Sequence, residues 1–212
     1  MISLYDAVSL SKRKMISIFI LLILMWSFMI YLVFQDQHDV LLLSMKIAGI
    51  LLSFILSWIL IDMTHPFEMM IRSFKSSSYL FIHKWFQVVI WSFLLSITTM
   101  IILLFGVLLC EKMISISIFL SFMLHLFLDL VIIGSIVIMI SKIKHPTLAL
   151  LIPLIYTTYQ LFVENKQSLS LYYIIPFFQP MMIHYSLAIL YKLCYISLGL
   201  LIANFPYKKH TF

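Results

Sequence analysis

MISISIFLSFMLHLFLDLVIIGSIVIMI, from Met113 to Ile140, is an apolar run of 28 residues in which Asp129 is the only charged side chain. A helix rises about 1.5 Å per residue, so a run of this length can cross the roughly 30 Å apolar layer of a bilayer. Uninterrupted apolar runs of 18 or more residues are typical of transmembrane helices. The run therefore predicts one membrane-spanning helix.

The rest of the chain has the same character. Its 212 residues are 64% hydrophobic and 10% charged, whereas soluble domains average roughly 45–50% apolar and about 25% charged residues. We therefore predict an all-α polytopic membrane protein that forms a single transmembrane domain. The fifth of its six spans is the shortest and contains Pro153, so we expect it to be short or interrupted. The predicted spans are 15–34, 40–61, 85–109, 113–140, 147–163 and 188–205.

The distribution of Lys and Arg predicts the orientation, because cytoplasmic loops carry an excess of these residues. With the N-terminus inside, ten of the 14 basic residues fall in inner segments and only Lys112 and Lys166 fall in outer loops. Both termini should then be cytoplasmic, and the net charge of +6 reflects loop charge and not a nucleic-acid partner. The inner residues are Lys12, Arg13, Lys14, Arg72, Lys75, Lys84, Lys142, Lys144, Lys208 and Lys209.

The last outer segment, which begins at Glu164, is long but very apolar, and it contains Pro176 and Pro180. Two short helical pieces that dip into the membrane and break near the prolines fit this composition. A belt of Tyr and Phe side chains at the lipid headgroups is the alternative. We expect a re-entrant helical hairpin over 170–182.

The largest inner loop, which runs from Thr64 to the third span, predicts a short amphipathic helix over Pro66–Lys75. Thr64 can cap its start, and Pro66 is tolerated in a first turn. Two interpretations are open: the helix lies flat on the lipid surface, or it docks a cytoplasmic partner. Its apolar face consists of Phe67, Met70, Ile71 and Phe74, and its charged face consists of Glu68, Arg72 and Lys75.

Asp129 is the second candidate site, with His125 four residues earlier on the same helix face. A carboxylate deep in a span costs about 2.5–3.5 kcal/mol on insertion scales, so it should face the protein interior or water. It can belong to a proton or ion relay, form a polar contact with Lys46 or Lys192, or be a protonated structural acid. Both lysines also lie close enough to the outer face to extend outward to the headgroups.

Enzymatic motifs are missing from the sequence. It contains neither a GxxxxGK[ST] phosphate loop nor an HExxH zinc motif, and no carboxylate pair or Ser/His/Asp set has catalytic spacing. We therefore expect a protein that is not an enzyme and has no cofactor or metal of its own. Cys110 and Cys194 lie at or within apolar runs, which predicts small buried hydrophobic residues and not a disulfide.

The order of these parts resembles the permease subunit of ABC-2 type ABC transporters, which have the type V exporter fold. That family has an N-terminal surface helix, two spans, a cytoplasmic coupling helix, three spans, a re-entrant hairpin and a sixth span. Here the surface helix corresponds to Ile2–Lys12, the coupling helix to Pro66–Lys75 and the hairpin to Ser170–Met182. The small size is similar to that of Gram-positive permeases for peptide antibiotics or toxins.

The resemblance implies a complex in the bacterial cytoplasmic membrane. A separate ATPase subunit would bind ATP and Mg²⁺ and grip the coupling helix, and the permease would pair with a second copy or with a paralogous permease. The complex would export a hydrophobic or amphipathic substrate. Two alternatives are open: an ion-gradient-driven transporter that uses Asp129 and His125, and an immunity-type membrane protein that does not transport.

Overall fold

A computed structural model describes residues 12–34, 38–62, 77–109, 116–141, 146–162 and 185–208. Side chains are described for 15–31, 47–61, 81–109, 120–140, 148–158 and 189–201. Every residue in these ranges is helical, which confirms the all-α prediction for this part of the chain. A 3₁₀ helix, Pro146–Leu150, precedes α5. The α-helices are α1 (Lys12–Phe34), α2 (His38–Asp62), α3 (Ser77–Leu109), α4 (Ile116–Ser141), α5 (Leu151–Phe162) and α6 (Tyr185–Lys208).

Helix α4, which the opening sequence run forms, lies at the centre of the bundle. It packs against α2, α3, α5, α6 and the 3₁₀ helix, whereas α1 packs against α2 and α3. Its apolar stretch Leu120–Ile140 is mostly buried, whereas the corresponding stretch of α3, Phe81–Leu109, is mostly not. Several fully buried apolar side chains from α1 to α4 form the core, among them Met29, Leu52, Leu56, Leu103, Ile133 and Val137.

Gly134 marks the closest approach of α4 to its neighbours. A Cβ atom at this position would lie 2.6 Å from Val88 Cγ1 on α3 and 3.2 Å from Leu60 Cδ1 on α2. The first distance is shorter than carbon atoms tolerate, so a larger residue would push the helices apart. Small residues allow helix backbones to pack closely where lipid supplies no hydrophobic driving force.

Two helix starts differ from the starts of the predicted apolar runs by four residues or more. Helix α3 begins at Ser77, eight residues before the apolar run that starts at Trp85, so the polar residues His83 and Lys84 belong to this helix. Helix α5 begins at Leu151, so Pro153 lies in its first turn. The missing N–H of proline is harmless in this turn, because the first four N–H groups of a helix have no intrahelical acceptor.

The described helices have apolar surfaces and a partly polar interior. Large apolar side chains face outward on several helices, and Leu108 and Leu201 are 67% and 69% exposed. Charged and hydroxyl side chains are buried instead, which reverses the pattern of soluble proteins. The buried polar residues are Ser53, Ser57, His83, Lys84, Gln87, Ser92, Ser96, Thr99, His125, Asp129, Ser135 and Lys192.

Two helical stretches, Phe81–Leu109 and Leu120–Ile140, are long and apolar enough to cross a membrane. The described apolar parts of the other four α-helices are shorter, and the stretch at α5 includes part of the 3₁₀ helix. The predicted surface helix before Lys12, the coupling helix over 66–75 and the hairpin over 170–182 lie outside the described residues. Cys194 is exposed on α6 as a free thiol, so the prediction that it is buried was wrong.

Candidate functional site

Asp129 and Lys192 form an ion pair inside the bundle. Asp129 lies on α4 and Lys192 on α6, and 2.7 Å separates Lys192 Nζ from Asp129 Oδ1. Both side chains are only 1% exposed, and Lys192 is among the largest fully buried side chains of the described residues. The pair therefore joins two helices that are distant in sequence.

Tyr156 and His125 also contact the ion pair. We call the four residues Asp129, Lys192, Tyr156 and His125 the ionic centre. The Tyr156 hydroxyl on α5 donates to Asp129 Oδ2 over 3.5 Å. Lys192 Nζ donates to the backbone carbonyl of His125, also over 3.5 Å. These two distances are at the outer limit for hydrogen bonds, so both contacts are weaker than the 2.7 Å ion pair.

Gly49 on α2 leaves room for the tyrosine. A Cβ atom on Gly49 would lie 3.1 Å from the Tyr156 hydroxyl oxygen and 3.7 Å from Leu126 Cδ1. A larger residue would therefore push the hydroxyl away from its position beside Asp129. Four helices thus position the ionic centre: α4 and α6 supply the charges, α5 supplies a donor, and α2 supplies the space.

The pair carries no net charge, whether the proton resides on the lysine or on the aspartate. Separating a buried ion pair by removing one partner typically costs about 3–5 kcal/mol, because the remaining charge is left uncompensated. The geometry thus suits a fixed link between α4 and α6. For Asp129 to accept an external ion or proton, Lys192 would have to move away first.

The structure describes the side chains of three of the four predicted intramembrane polar residues. His125 and Asp129 are both buried, 4% and 1% exposed. Of the two lysines considered as partners, Lys192 contacts Asp129, so the expectation that it extends outward to the headgroups was wrong. A carboxylate within 2.7 Å satisfies its ammonium group more directly than a distant headgroup. The side chain of Lys46 lies outside the described residues.

The predicted contacts to an ATPase subunit are not among the described residues. Phe67, Glu68, Met70, Ile71, Arg72, Phe74 and Lys75 all fall in the range 63–76, which the structure does not describe. Their role stays a prediction from sequence. Within the described part, no group of three or more His, Cys, Asp or Glu side chains is arranged to hold a metal ion.

Sequence reasoning missed Tyr156 and Gly49. A tyrosine in the middle of an apolar span was a usable signal, because a buried phenolic hydroxyl usually finds a hydrogen-bond partner. Gly49 gave no such signal, since its importance depends on a side chain that is distant in the sequence.

Comparisons of the chain with protein-family models, curated proteins and solved structures found no match.

Proposed function

We propose that this chain is the membrane-embedded permease subunit of an ATP-driven exporter of the ABC-2 type. It would have six spans, with both termini in the cytoplasm. It would move a hydrophobic or amphipathic substrate, such as a peptide antibiotic or toxin, out of the cell. The reversed polarity of the helices carries the membrane part of this proposal: the exposed leucines of α3 and α6 face outward while Asp129 and Lys192 are buried.

A position in the bilayer accounts for this pattern physically. Apolar side chains lose nothing by facing lipid, whereas charged groups within the apolar layer must pair or face the protein interior. Nine large apolar residues on the described part of α1 alone are more than 40% exposed, which would be a severe aggregation hazard in water. Lipid is therefore the partner that fits this surface.

The order of sequence elements supports the exporter part. An amphipathic segment over 66–75 follows the second predicted span, and an apolar outer segment precedes the sixth. The sequence has no phosphate-binding loop, so ATP and Mg²⁺ would bind to a separate subunit. In this arrangement Phe67, Met70, Ile71 and Phe74 seat the helix, and Glu68, Arg72 and Lys75 contact the ATPase.

Copurification tests the proposal. The tagged chain, solubilised from its native membrane, is expected to bring down an ATPase subunit with a phosphate-binding loop. Phe74→Asp should abolish this association, because it places a charge on the apolar face that seats the helix. Ser73→Asp adds the same charge to the same segment away from that face, so this variant should retain the ATPase. Both variants should reach the membrane at the wild-type level.

Retention of the ATPase by the Phe74→Asp variant would show that the segment is not the docking element. A second function, transport driven by an ion gradient, rests on one observation, the buried ionic centre, and it requires Lys192 to move away from Asp129 during transport. Purified chain in vesicles would then transport without any ATPase, and Asp129→Asn would abolish that transport. If cells that carry this chain stay resistant to a toxin when the partner ATPase is inactivated, that result would instead favour an immunity-type membrane protein.

A further inference from the structure

A row of hydrogen-bonding groups runs along the inner face of α3. Ser92, Ser96 and Thr99 are spaced four and three residues apart, which places them on one face of the helix. Their exposed fractions are 0%, 1% and 0%. Trp85, seven residues before Ser92, lies on the same face, and its indole Nε1 atom is buried.

These four groups have no hydrogen-bond partner in the described part of the chain. Six other helical hydroxyls in that part behave differently, because they donate to the carbonyl four residues earlier at 2.7 to 2.9 Å. This set comprises Ser57, Thr98, Ser135, Thr157, Thr158 and Ser197. The hydroxyls on the inner face of α3 thus differ from these six described hydroxyls in having no acceptor within their own helix.

The row faces the centre of the bundle and not its surface. Val88 lies on the same face of α3, one turn before Ser92, and it packs against the Gly134 position of α4. Thr98, next to Thr99, is turned away from this face and donates to its own helix at Leu94. At about 1.5 Å per residue, the row from Trp85 to Thr99 is about 21 Å long, which is a large part of the apolar thickness of a bilayer.

Buried donors and acceptors without partners cost free energy, so a row of four requires an explanation. We propose that this face of α3 lines the transport pathway and binds the uncharged hydrogen-bonding groups of the substrate, such as peptide amides, together with water. In the closed arrangement seen here, α3 packs against α4 and the groups lack partners among the described residues. When the two helices separate, the row becomes accessible and the groups gain hydrogen bonds.

The chemistry of the row determines the class of ligand. Hydroxyl and indole groups donate to carbonyl oxygens, and the hydroxyls also accept from N–H groups. None of the four groups is charged, and the buried Asp129 carboxylate on α4 is paired with Lys192. The row therefore suits neutral polar groups, and charged ones would find no counterion among these four residues. This inference rests on the proposed transport function but not on the energy source.

Cysteine accessibility in living cells tests the pathway. Cys110 and Cys194 are first replaced by serine, and a single cysteine is then introduced by Ser92→Cys, Ser96→Cys, Thr99→Cys or Thr98→Cys in the full chain. The probe is 2-aminoethyl methanethiosulfonate, which reacts with the thiolate that forms only in water. We expect the three inner positions to react about tenfold faster than position 98, because opening of the helix pair admits water.

Reaction at 92, 96 and 99 that is no faster than at the neighbouring position 98 would overturn the inference. Thr99→Val provides a second readout, since it removes one hydroxyl at nearly constant volume. We expect the melting temperature of this variant to stay unchanged or to rise, because no bond in the closed state is lost. A clear fall in the melting temperature would show that the hydroxyl is a structural group and would contradict its role in the pathway.

The two proposals fail in distinguishable ways. Fast labelling at the three inner positions together with failed ATPase copurification would support the pathway and reject the exporter. Slow labelling together with successful copurification would reject the pathway and leave the exporter in place.

Discussion

At the residue scale, the ionic centre combines two charges that would each be unstable alone. Asp129 on α4 and Lys192 on α6 are 63 positions apart in sequence but 2.7 Å apart in space. Because each compensates the other, α4 and α6 depend on one another through this pair. The free energy of the pair therefore has to be measured with both partners changed.

We predict that Asp129→Asn and Lys192→Met will each lower the free energy of unfolding by about 3–5 kcal/mol, because either change removes the ion-pair partner of the other buried group. The double variant should lose much less than the sum of the two, since neither charge remains. Reversible unfolding in mixed micelles, followed by tryptophan fluorescence, measures all three variants. Additive losses in the double variant would mean that the pair does not act as a unit.

We predict a smaller effect for Tyr156→Phe, which serves as a comparison for the ion-pair variants. It removes the hydroxyl that donates to Asp129 over 3.5 Å and keeps the ring, so its effect should be near the roughly 0.5–1.5 kcal/mol of a typical hydrogen bond.

Part of this centre was readable from the sequence. A lone aspartate in an apolar run needs a partner, so Asp129 was identifiable from its surroundings alone. The pattern did not decide between Lys46 and Lys192, because both are lysines near the outer ends of apolar runs. Only the packing of α6 against α4 makes that choice, and helix packing depends on contacts between residues far apart in the sequence.

At the element scale, Gly134 sets the distance between α4 and its neighbours. We predict that Gly134→Ala will destabilise the protein by about 1–3 kcal/mol, the usual range for overpacking. The added Cβ would lie 2.6 Å from Val88 Cγ1, so one helix must shift. Thermal unfolding in detergent provides the measurement.

Gly199 on α6 is the matched control, because a Cβ there would meet no atom within 4 Å. Gly199→Ala should be neutral or stabilising by up to about 1 kcal/mol through helix propensity. Adding Val88→Ala to Gly134→Ala should recover part of the loss, since it removes the side chain that the new methyl group meets. If Gly134→Ala and Gly199→Ala changed the stability equally, the close approach at Gly134 would not limit the stability of the protein.

Helix positions were more accessible to sequence reasoning than helix ends. Each of the six apolar runs overlaps one described α-helix, because a long apolar run favours a continuous helix over a turn or loop. The ends depend on local chemistry instead. Helix α3 begins at Ser77, before its apolar run, and Pro153 fits into the first turn of α5 after the 3₁₀ helix Pro146–Leu150.

At the scale of the whole molecule, the number of spans is the main structural consequence of the proposal. Two described helices are long and apolar enough to cross a membrane, whereas the apolar runs in the full sequence predict six spans. The outward-facing apolar side chains of α1, α5 and α6 favour six, because these helices also present a surface suited to lipid. An arrangement with six spans and one in which only α3 and α4 cross would place the segments at Asp36 and Lys166 on opposite sides of the membrane.

Alkaline phosphatase fusions separate the two arrangements, because this enzyme is active only outside the cytoplasm. With six spans and an inner N-terminus, we predict activity for fusions after Asp36, Lys112 and Lys166, and no activity for fusions after Lys75 and Lys144. If only α3 and α4 crossed, the fusions after Asp36 and Lys166 would be inactive, while the one after Lys112 would stay active. Fluorescent-protein fusions at the same five positions supply the control, since they should fluoresce only in the cytoplasm. Phosphatase activity after Lys75 would reverse the orientation inferred from the basic residues and would move the segment over 66–75 out of reach of any cytoplasmic ATPase.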